Sequence, residues 1–123
     1  MSKIALITGA ARGIGLASSK KFSAHGYEVL MLDRDETELE NAVQEVAGTT
    51  ELYFNISLKE ATTEIAASLI RSHGALNAPI NNAGVAEFET IENCSVESWR
   101  RVMETNLDGM FYLSQALIPT LRT

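Results

Sequence analysis

The chain has 123 residues, a size typical of one domain. Its composition is 46% hydrophobic and 21% charged, which is typical of a protein that folds around a core of its own. The formal net charge of -6 argues against nonspecific binding to nucleic acid or anionic membranes, because both need a basic surface.

The cysteine content and the apolar runs indicate the cellular setting. Cys94 is the single cysteine, which excludes an internal disulfide and fits a reducing environment. No apolar run approaches the roughly 18 residues of a membrane span. The short apolar start leads directly into a glycine-rich segment, unlike a signal peptide. We therefore expect a cytoplasmic protein, and we assign no metal-binding residues to it.

The first predicted strand and helix flank that glycine-rich segment. Residues 3–8, "KIALIT", lack polar alternation, which is typical of a parallel strand buried on both faces. A helix is predicted over residues 13–25, with Gly26 as its stop. We expect one face of this helix to pack on the core through Ile14, Ala17 and Phe22.

Two further strands and a helix follow. The second strand is predicted over residues 28–33, "EVLMLD", and the third over residues 51–56, "ELYFNI". Asp35 can cap a helix over residues 35–46, since Glu38 follows three positions later. The apolar stripe of this helix consists of Leu39, Ala42, Val43 and Val46.

The third helix is predicted from a capping box formed by Ser57 and Glu60, and it ends at Gly74. Residues 76–82, "LNAPINN", take the position of a fourth strand, although Pro79 cannot donate a hydrogen bond to a ladder.

A loop over residues 83–94 separates that strand from a long final helix. Ser95 can cap this helix, Asn106 and Gly109 interrupt its apolar stripe, and Pro119 comes at its end. The predicted order of elements is therefore βαβαβαβα. Such alternation calls for an α/β fold with a parallel sheet and helices on both faces.

The segment "ITGAARGIG", residues 7–15, joins the first strand to the first helix. A helix that starts after a tight turn presents unpaired N–H groups and its positive dipole end, and phosphate binds there readily. Gly9 permits the sharp turn, Gly13 a close backbone approach, and Gly15 close packing of the helix on the strand. The spacing lacks the Lys-Ser/Thr of a P-loop, and a tight turn without a ligand is the alternative interpretation.

Asp33 favours a particular ligand for this turn. It closes the second strand eighteen residues after Gly15, where an acidic residue accepts hydrogen bonds from the adenosine ribose of NAD. A 2′-phosphate would be repelled there, although Arg12 or Arg34 could pair with one. We give Asp33 more weight because its position at the strand end is fixed. NAD is therefore predicted over NADP, and a solvated carboxylate is the alternative.

Three motifs occur in order: "TGAARGIG", "NNAG" at residues 81–84, and "WRRVMETNLDGMF" at residues 99–111. They resemble, in turn, the cofactor loop, the motif after the fourth strand and the following helix of the short-chain dehydrogenase/reductase family. The resemblance covers nearly all of the chain. It implies a single dinucleotide-binding domain over residues 1–123, a partial Rossmann fold with strand order 3-2-1-4. It also implies hydride transfer between a nicotinamide cofactor and a carbonyl or alcohol.

The resemblance implies roles for individual residues at the cofactor. Asp33 would bind the adenosine ribose, and Asn55 and Ile56 would contact adenine. The residues that would face the pyrophosphate and the adjoining ribose are Gly9, Arg12, Ile14 and Gly15, with Gly13 in the same turn. The residues that would lie along the nicotinamide-side ribose are Asn82, Ala83 and Gly84.

Asn106 would orient a water within the proton relay and is the one catalytic residue that the resemblance implies. Purely structural roles are the alternative for the asparagines. Asn81 and Asn82 satisfy backbone groups at a strand end in one interpretation, and Asn106 bridges the helix to the sheet in another.

The sequence departs from the family's pattern in three places. Asn55 stands where the family usually has Asp, which keeps an acceptor oxygen but loses the charge. The fourth strand, "LNAPI", carries Asn77 and Pro79 in place of branched apolar residues. The family's Ser and Tyr-x-x-x-Lys are absent, because Met31, Ser57 and Ala116 stand four residues after the tyrosines.

We therefore expect the N-terminal, NAD-binding portion of such an oxidoreductase, truncated relative to the family and without turnover as this chain alone. The alternative is a non-catalytic dinucleotide-binding or interaction module. It would recruit a second copy or a partner chain through the edge of the fourth strand and the final helix.

Overall fold

Strands and helices alternate in the computed structural model, which describes residues 3–53 and 58–121. In chain order the elements are β1 (Ile4–Thr8), α1 (Gly13–Ala24), β2 (Glu28–Asp33), α2 (Glu36–Val43), β3 (Thr49–Tyr53), α3 (Lys59–His73), β4 (Ala78–Ile80), α4 (Val96–Met103), a π-helix (Glu104–Asp108) and α5 (Gly109–Leu121). The strands pair in parallel as one sheet in the order β3-β2-β1-β4. The predicted α/β fold and its strand order are confirmed.

Helices cover both faces of this sheet. On one face α3 and α5 pack on alternate strand residues, in a cluster of Ile4, Leu6, Leu30, Leu32, Ala66, Leu69, Leu113 and Leu117. On the other face α1 and α2 pack on the intervening ones, in a cluster that includes Leu16, Phe22, Val29, Met31, Leu39 and Ala42. The uninterrupted apolar sequences of β1 and β2 thus serve two cores at once.

The face that α1 turns to the sheet agrees with the prediction at Phe22, which packs on the core, and differs from it at Ile14 and Ala17. Ile14 is 76% exposed and Ala17 is also exposed, whereas Gly15 and Ser19 are buried. Gly15 has no side chain, so the start of the helix lies directly on the turn after β1. This close approach, rather than apolar periodicity, sets the rotation of the helix.

Two predicted helix starts have different outcomes. Asp35 caps α2 by accepting a hydrogen bond from the Glu38 amide at 3.1 Å, although the helix ends three residues early. In α3, Leu58 occupies the N-cap position, and the predicted cap, Ser57, lies outside the described residues. β3 begins two residues before its predicted start, and its predicted end also lies outside them.

The long final helix is divided where the sequence predicted an interruption. Ser95 caps α4 through a 3.0 Å hydrogen bond from the Ser98 amide. The π-helix then contains Asn106, and Gly109 begins α5, whose last turn includes Pro119. No helix within residues 3–53 and 58–121 combines the length and apolarity needed to cross a membrane.

β4 has three residues, and two asparagine side chains extend its pairing with β1. At its start the Asn77 Oδ1 accepts from the Ile4 amide at 2.8 Å, and the Asn77 amide donates to the Ile4 carbonyl at 2.9 Å. Beyond its end the Asn82 Nδ2 donates to the Thr8 carbonyl at 3.2 Å. The polar residue that departs from the family's pattern therefore lengthens a short ladder.

Pro79 stands opposite Leu6 in this ladder. In each parallel pair only one of the two residues bonds across the ladder, to the neighbours of the other. Because proline has no N–H, the bonding residue of this pair is Leu6, and Pro79 costs the ladder no bond. β4 lies at the edge of the sheet formed by the described residues, as expected.

Replacing Asn77 by alanine should destabilise the fold. The amide of Ile4, a residue only 6% exposed, would lose its partner, and we expect the free energy of unfolding to fall by about 1–2 kcal/mol. Asn77→Asp keeps an acceptor oxygen and should restore part of the loss.

Urea denaturation followed by circular dichroism measures both variants. Asn93→Ala, which removes an exposed side-chain bond to Thr90, is the matched control and should change stability by less than about 0.5 kcal/mol. A loss for Asn77→Ala no larger than that of the control would contradict the role of the Asn77 side chain.

Candidate functional site

The carboxyl ends of β1, β2 and β4 meet at one cleft of about 270 Å³. Its lining consists of Gly9, Arg12, Asp33, Arg34, Asn82, Gly84 and Val85. The structure thus brings together five of the predicted binding residues from three separate segments of the chain. Ligands of open parallel sheets bind at this edge.

The glycine turn at this cleft requires its glycines for two different reasons. Gly9 and Gly13 have φ of 63° and 57°, in the left-handed region that favours glycine. A Cβ at Gly15 would overlap the Gly9 carbonyl and lie 2.7 Å from the Asn82 Nδ2. A Cβ at Gly9 would lie 2.9 Å from the Cα of Ala83. The turn therefore packs backbone against backbone.

The start of α1 is open to an anion. Arg12 occupies its N-cap position with no side-chain capping bond, and no acidic residue lies in the first turn. The first amides of a helix have no intrahelical acceptor, and its dipole adds positive potential there. Ile14, in this first turn, is 76% exposed. The geometry suits a phosphate group.

Thr8, the last residue of β1, connects this strand to the segment that follows β4. Its hydroxyl is fully buried, donates to the Ile80 carbonyl at 3.3 Å, and accepts from the amides of Asn82 and Ala83 at 3.0 and 2.9 Å. The Asn82 Nδ2 also donates to the Gly9 carbonyl at 3.2 Å. These bonds fix the Asn82 segment against the glycine turn.

Sequence reasoning missed Thr8 as a site residue. The sequence feature that could have indicated it is a hydroxyl residue at the end of an otherwise apolar strand, directly before the glycine turn.

Asp33 is held in place by two backbone amides. Its Oδ2 accepts from the Ala11 amide at 3.1 Å and its Oδ1 from the Asp35 amide at 2.9 Å. The carboxylate is therefore fixed at the end of β2, beside the glycine turn. The side chain of Arg12 pairs with Asp35 at 2.9 Å, an exposed ion pair of small energetic value. Arg34 is exposed at the cleft.

Asn106 lies on the π-helix and is not among the residues that line the cleft. Its Oδ1 accepts from the Val85 amide at 2.8 Å, and its Nδ2 donates to the Val85 carbonyl at 2.9 Å. A Cβ added at Gly84 would lie 3.4 Å from the Asn106 Oδ1. Asn106 thus bridges the π-helix to the loop after β4, and its part in a proton relay stays a prediction.

The remaining predicted residues divide into two groups. Asn81 turns its side chain to Ser114 at 3.2 Å, and Ala83 packs against the core. Asn55 and Ile56, predicted to contact adenine, lie outside the described residues. Within the described ranges, no group of three His, Cys, Asp or Glu side chains is arranged to hold a metal ion.

Known proteins resemble this chain over nearly its whole length. The family model for short chain dehydrogenases matches residues 3–123. An NAD-dependent glycerol dehydrogenase from Listeria innocua is 35% identical over 116 residues, covering 94% of this chain and 46% of that protein. An NADP-dependent (R)-specific alcohol dehydrogenase from Lentilactobacillus kefiri is 32% identical over 113 residues, covering 89% of this chain and 45% of that protein.

The similarity extends to three-dimensional structure. A short-chain dehydrogenase from Streptomyces avermitilis superposes with a TM-score of 0.92 at 25% identity, over 99% of this chain and 45% of that one. The chain spans about half the length of the curated relatives it matches. It belongs to the short-chain dehydrogenase family and has that family's NAD(P)-binding fold.

Proposed function

We propose that residues 1–123 form a single NAD-binding domain, the cofactor-binding portion of an oxidoreductase that transfers hydride between the nicotinamide and a carbonyl or alcohol. The observation that carries this proposal is the cleft itself. The glycine turn, the Asp33 carboxylate and the segment after β4 line one space at the carboxyl edge of the sheet. A reducing, cytoplasmic location, which the lone Cys94 favours, is part of the proposal.

The residues present fit a dinucleotide. The open start of α1 suits the pyrophosphate, and Gly9 and Gly15 bring no side chain of their own into the turn. Asp33 lies at one side of the turn and Asn82 at the other. The two nucleoside halves would therefore extend in opposite directions, with Ala83 and Gly84 beside the nicotinamide ribose. Asn55 and Ile56 are proposed for adenine on the resemblance alone.

The geometry of Asp33 supports NAD over NADP. Its two amide contacts occupy about half of the roughly four acceptor positions of a carboxylate, so the others can accept from ribose hydroxyls. Its charge would repel a 2′-phosphate, and Arg12 is already paired with Asp35. Arg34 is the opposing feature. The relatives include an NADP-dependent protein and an NAD-dependent one, so cofactor preference varies among them.

We propose that this chain alone binds the cofactor without turnover. No tyrosine among residues 1–123 has a lysine four positions later, so the tyrosine–lysine pair that the family uses for proton transfer is not provided. Asn106 is the one implied member of the relay, and its amide is engaged by the Val85 backbone.

Fluorescence titration of the purified chain with NADH and NADPH tests the proposal. We expect saturable binding of NADH below roughly millimolar concentration, and weaker binding of NADPH. No binding of either cofactor to a chain that circular dichroism shows to be folded would contradict it. Oxidation of NADH by a panel of small ketones, followed by absorbance, would contradict the absence of turnover.

One observation favours the second candidate, an interaction module. The α4, π-helix and α5 segments expose large apolar side chains, namely Val96, Trp99, Leu107, Met110, Phe111, Ile118 and Leu121. Together with the β4 edge they would form a contact surface for a second copy or a partner chain. Sedimentation equilibrium tests the self-associating form, and a mass that stays at 13.4 kDa at high concentration would count against it.

A further inference from the structure

The loop over residues 85–95 exposes large apolar side chains and partly buries a carboxylate. Phe88 and Ile91 are 98% and 86% exposed, whereas the side chain of Glu87 is only 21% exposed. Apolar groups are usually buried and carboxylates usually exposed. Because Phe88 and Ile91 are not buried, they do not fix the conformation of the loop. Polar contacts must therefore contribute to it.

Those contacts converge on Ser98, which is 7% exposed on α4. Its hydroxyl lies 2.9 Å from the Glu89 Oε1 and is in hydrogen-bond contact with the Glu87 Oε2. Glu87 also pairs with Arg101, one turn further along α4. A hydroxyl has a single hydrogen to share between the two carboxylates, and Arg101 supplies a countercharge.

This cluster lies two residues along the loop from the cleft. Val85 and Gly84 form part of the cleft lining, and Asn106 holds the backbone of Val85. Glu87 is held by Ser98 and Arg101. The loop is thus attached to the same helical segment at two points, one directly at the cleft wall and one just beyond it.

We propose that Ser98, Glu87 and Arg101 are positioning residues for the cleft wall formed by Gly84 and Val85. None of the three lines the cleft, so they act through the backbone between residues 85 and 87. This inference rests on the proposed function, in which that wall borders the nicotinamide half of the cofactor. Loosening it should weaken contacts with that half and leave the half beside Asp33 unchanged.

Calorimetric titration of the full chain with NADH and with ADP, which lacks the nicotinamide and its ribose, separates the two halves. For Ser98→Ala we expect the Kd of NADH to rise about fivefold, while that of ADP stays within about twofold, since one anchoring hydrogen bond is lost. Glu87→Gln should act in the same direction. Ser98→Thr keeps the hydroxyl and should restore NADH binding, and Glu92→Gln, an exposed carboxylate of the same loop, is the charge control.

The outcomes separate a positioning role from a general one. Equal weakening of NADH and ADP would show a global effect on the fold and overturn the inference. Unchanged binding of both ligands by Ser98→Ala would also overturn it, while leaving the proposed function intact. A wild-type chain that binds neither ligand would overturn the proposed function and this inference with it.

Discussion

Gly15→Ala should weaken NADH binding at least tenfold and destabilise the fold by about 2–3 kcal/mol, toward the upper end of overpacking costs. The added Cβ would overlap the Gly9 carbonyl and approach the Asn82 side chain. Both neighbours belong to the structure that shapes the cleft, and a backbone carbonyl cannot rotate away as a flexible side chain can. The start of α1 must therefore move outward, taking its free amides away from the phosphate position.

Gly48→Ala provides the matched control. Gly48, unlike the helical Gly15, has a positive φ of 65°, but a Cβ there meets nothing within 4 Å, and it lies between α2 and β3, away from the cleft lining. We expect a stability loss of about 1 kcal/mol from the left-handed backbone alone and no change in NADH affinity. Thermal unfolding and fluorescence titration measure the two effects. NADH affinity in Gly15→Ala equal to that of Gly48→Ala would contradict the packing argument.

Replacement of Asp33 should have the second large effect, on cofactor preference. Asp33→Asn keeps the size of the side chain and one acceptor oxygen, but removes the charge. We expect the Kd of NADH to rise about tenfold, the value of one charge-assisted hydrogen bond. We expect NADPH to lose less affinity than NADH, because the repulsion of its 2′-phosphate is gone, although asparagine can accept from only one of the Ala11 and Asp35 amides. Titration with both cofactors gives the ratio.

Asp33→Ala tests how much of the cofactor affinity depends on the hydrogen bonds between the Asp33 side chain and the backbone. Because Asp33 also accepts from the amides of Ala11 and Asp35, its removal loosens the glycine turn. We expect both cofactors to weaken, with NADH still losing more. Glu40→Gln, an exposed carboxylate on α2, controls for the change in net charge. Equal losses for NADH and NADPH in both Asp33 variants would show that Asp33 has no role in discrimination.

The fold could be predicted because its main signals are local. Apolar runs without alternation mark β1 and β2, and Asp35 and Ser95 cap helices within four residues of themselves. The face of α1 was predicted correctly at Phe22 but wrongly at Ile14 and Ala17, because the start of the helix is placed by contact between Gly15 and the Gly9 carbonyl rather than by periodicity. The π-helix likewise occurs where Asn106 bonds to Val85, a partner 21 residues away that no local pattern specifies.

The candidate site was predictable to a similar extent. The glycine spacing and Asp33 could be recognised because parallel strands place their carboxyl ends at one edge. Thr8 was missed because its role depends on amides contributed by residues 82 and 83, more than seventy positions later. The Ser98 cluster was missed because the loop over residues 85–95 has no periodicity. Its apolar side chains are exposed and its Glu87 carboxylate is largely buried, the reverse of the usual distribution.

Nuclear magnetic resonance mapping of NADH binding tests the central claim most directly. On a uniformly labelled chain, we expect the amide shifts changed by saturating NADH to concentrate at residues 9–15, at Asp33 and at residues 82–85. Shifts at the apolar cavity lined by Lys21, Phe22, His25 and Tyr27 instead would contradict the assignment of the site. A folded chain whose spectrum does not change with millimolar NADH would contradict the proposal that it binds the cofactor at all.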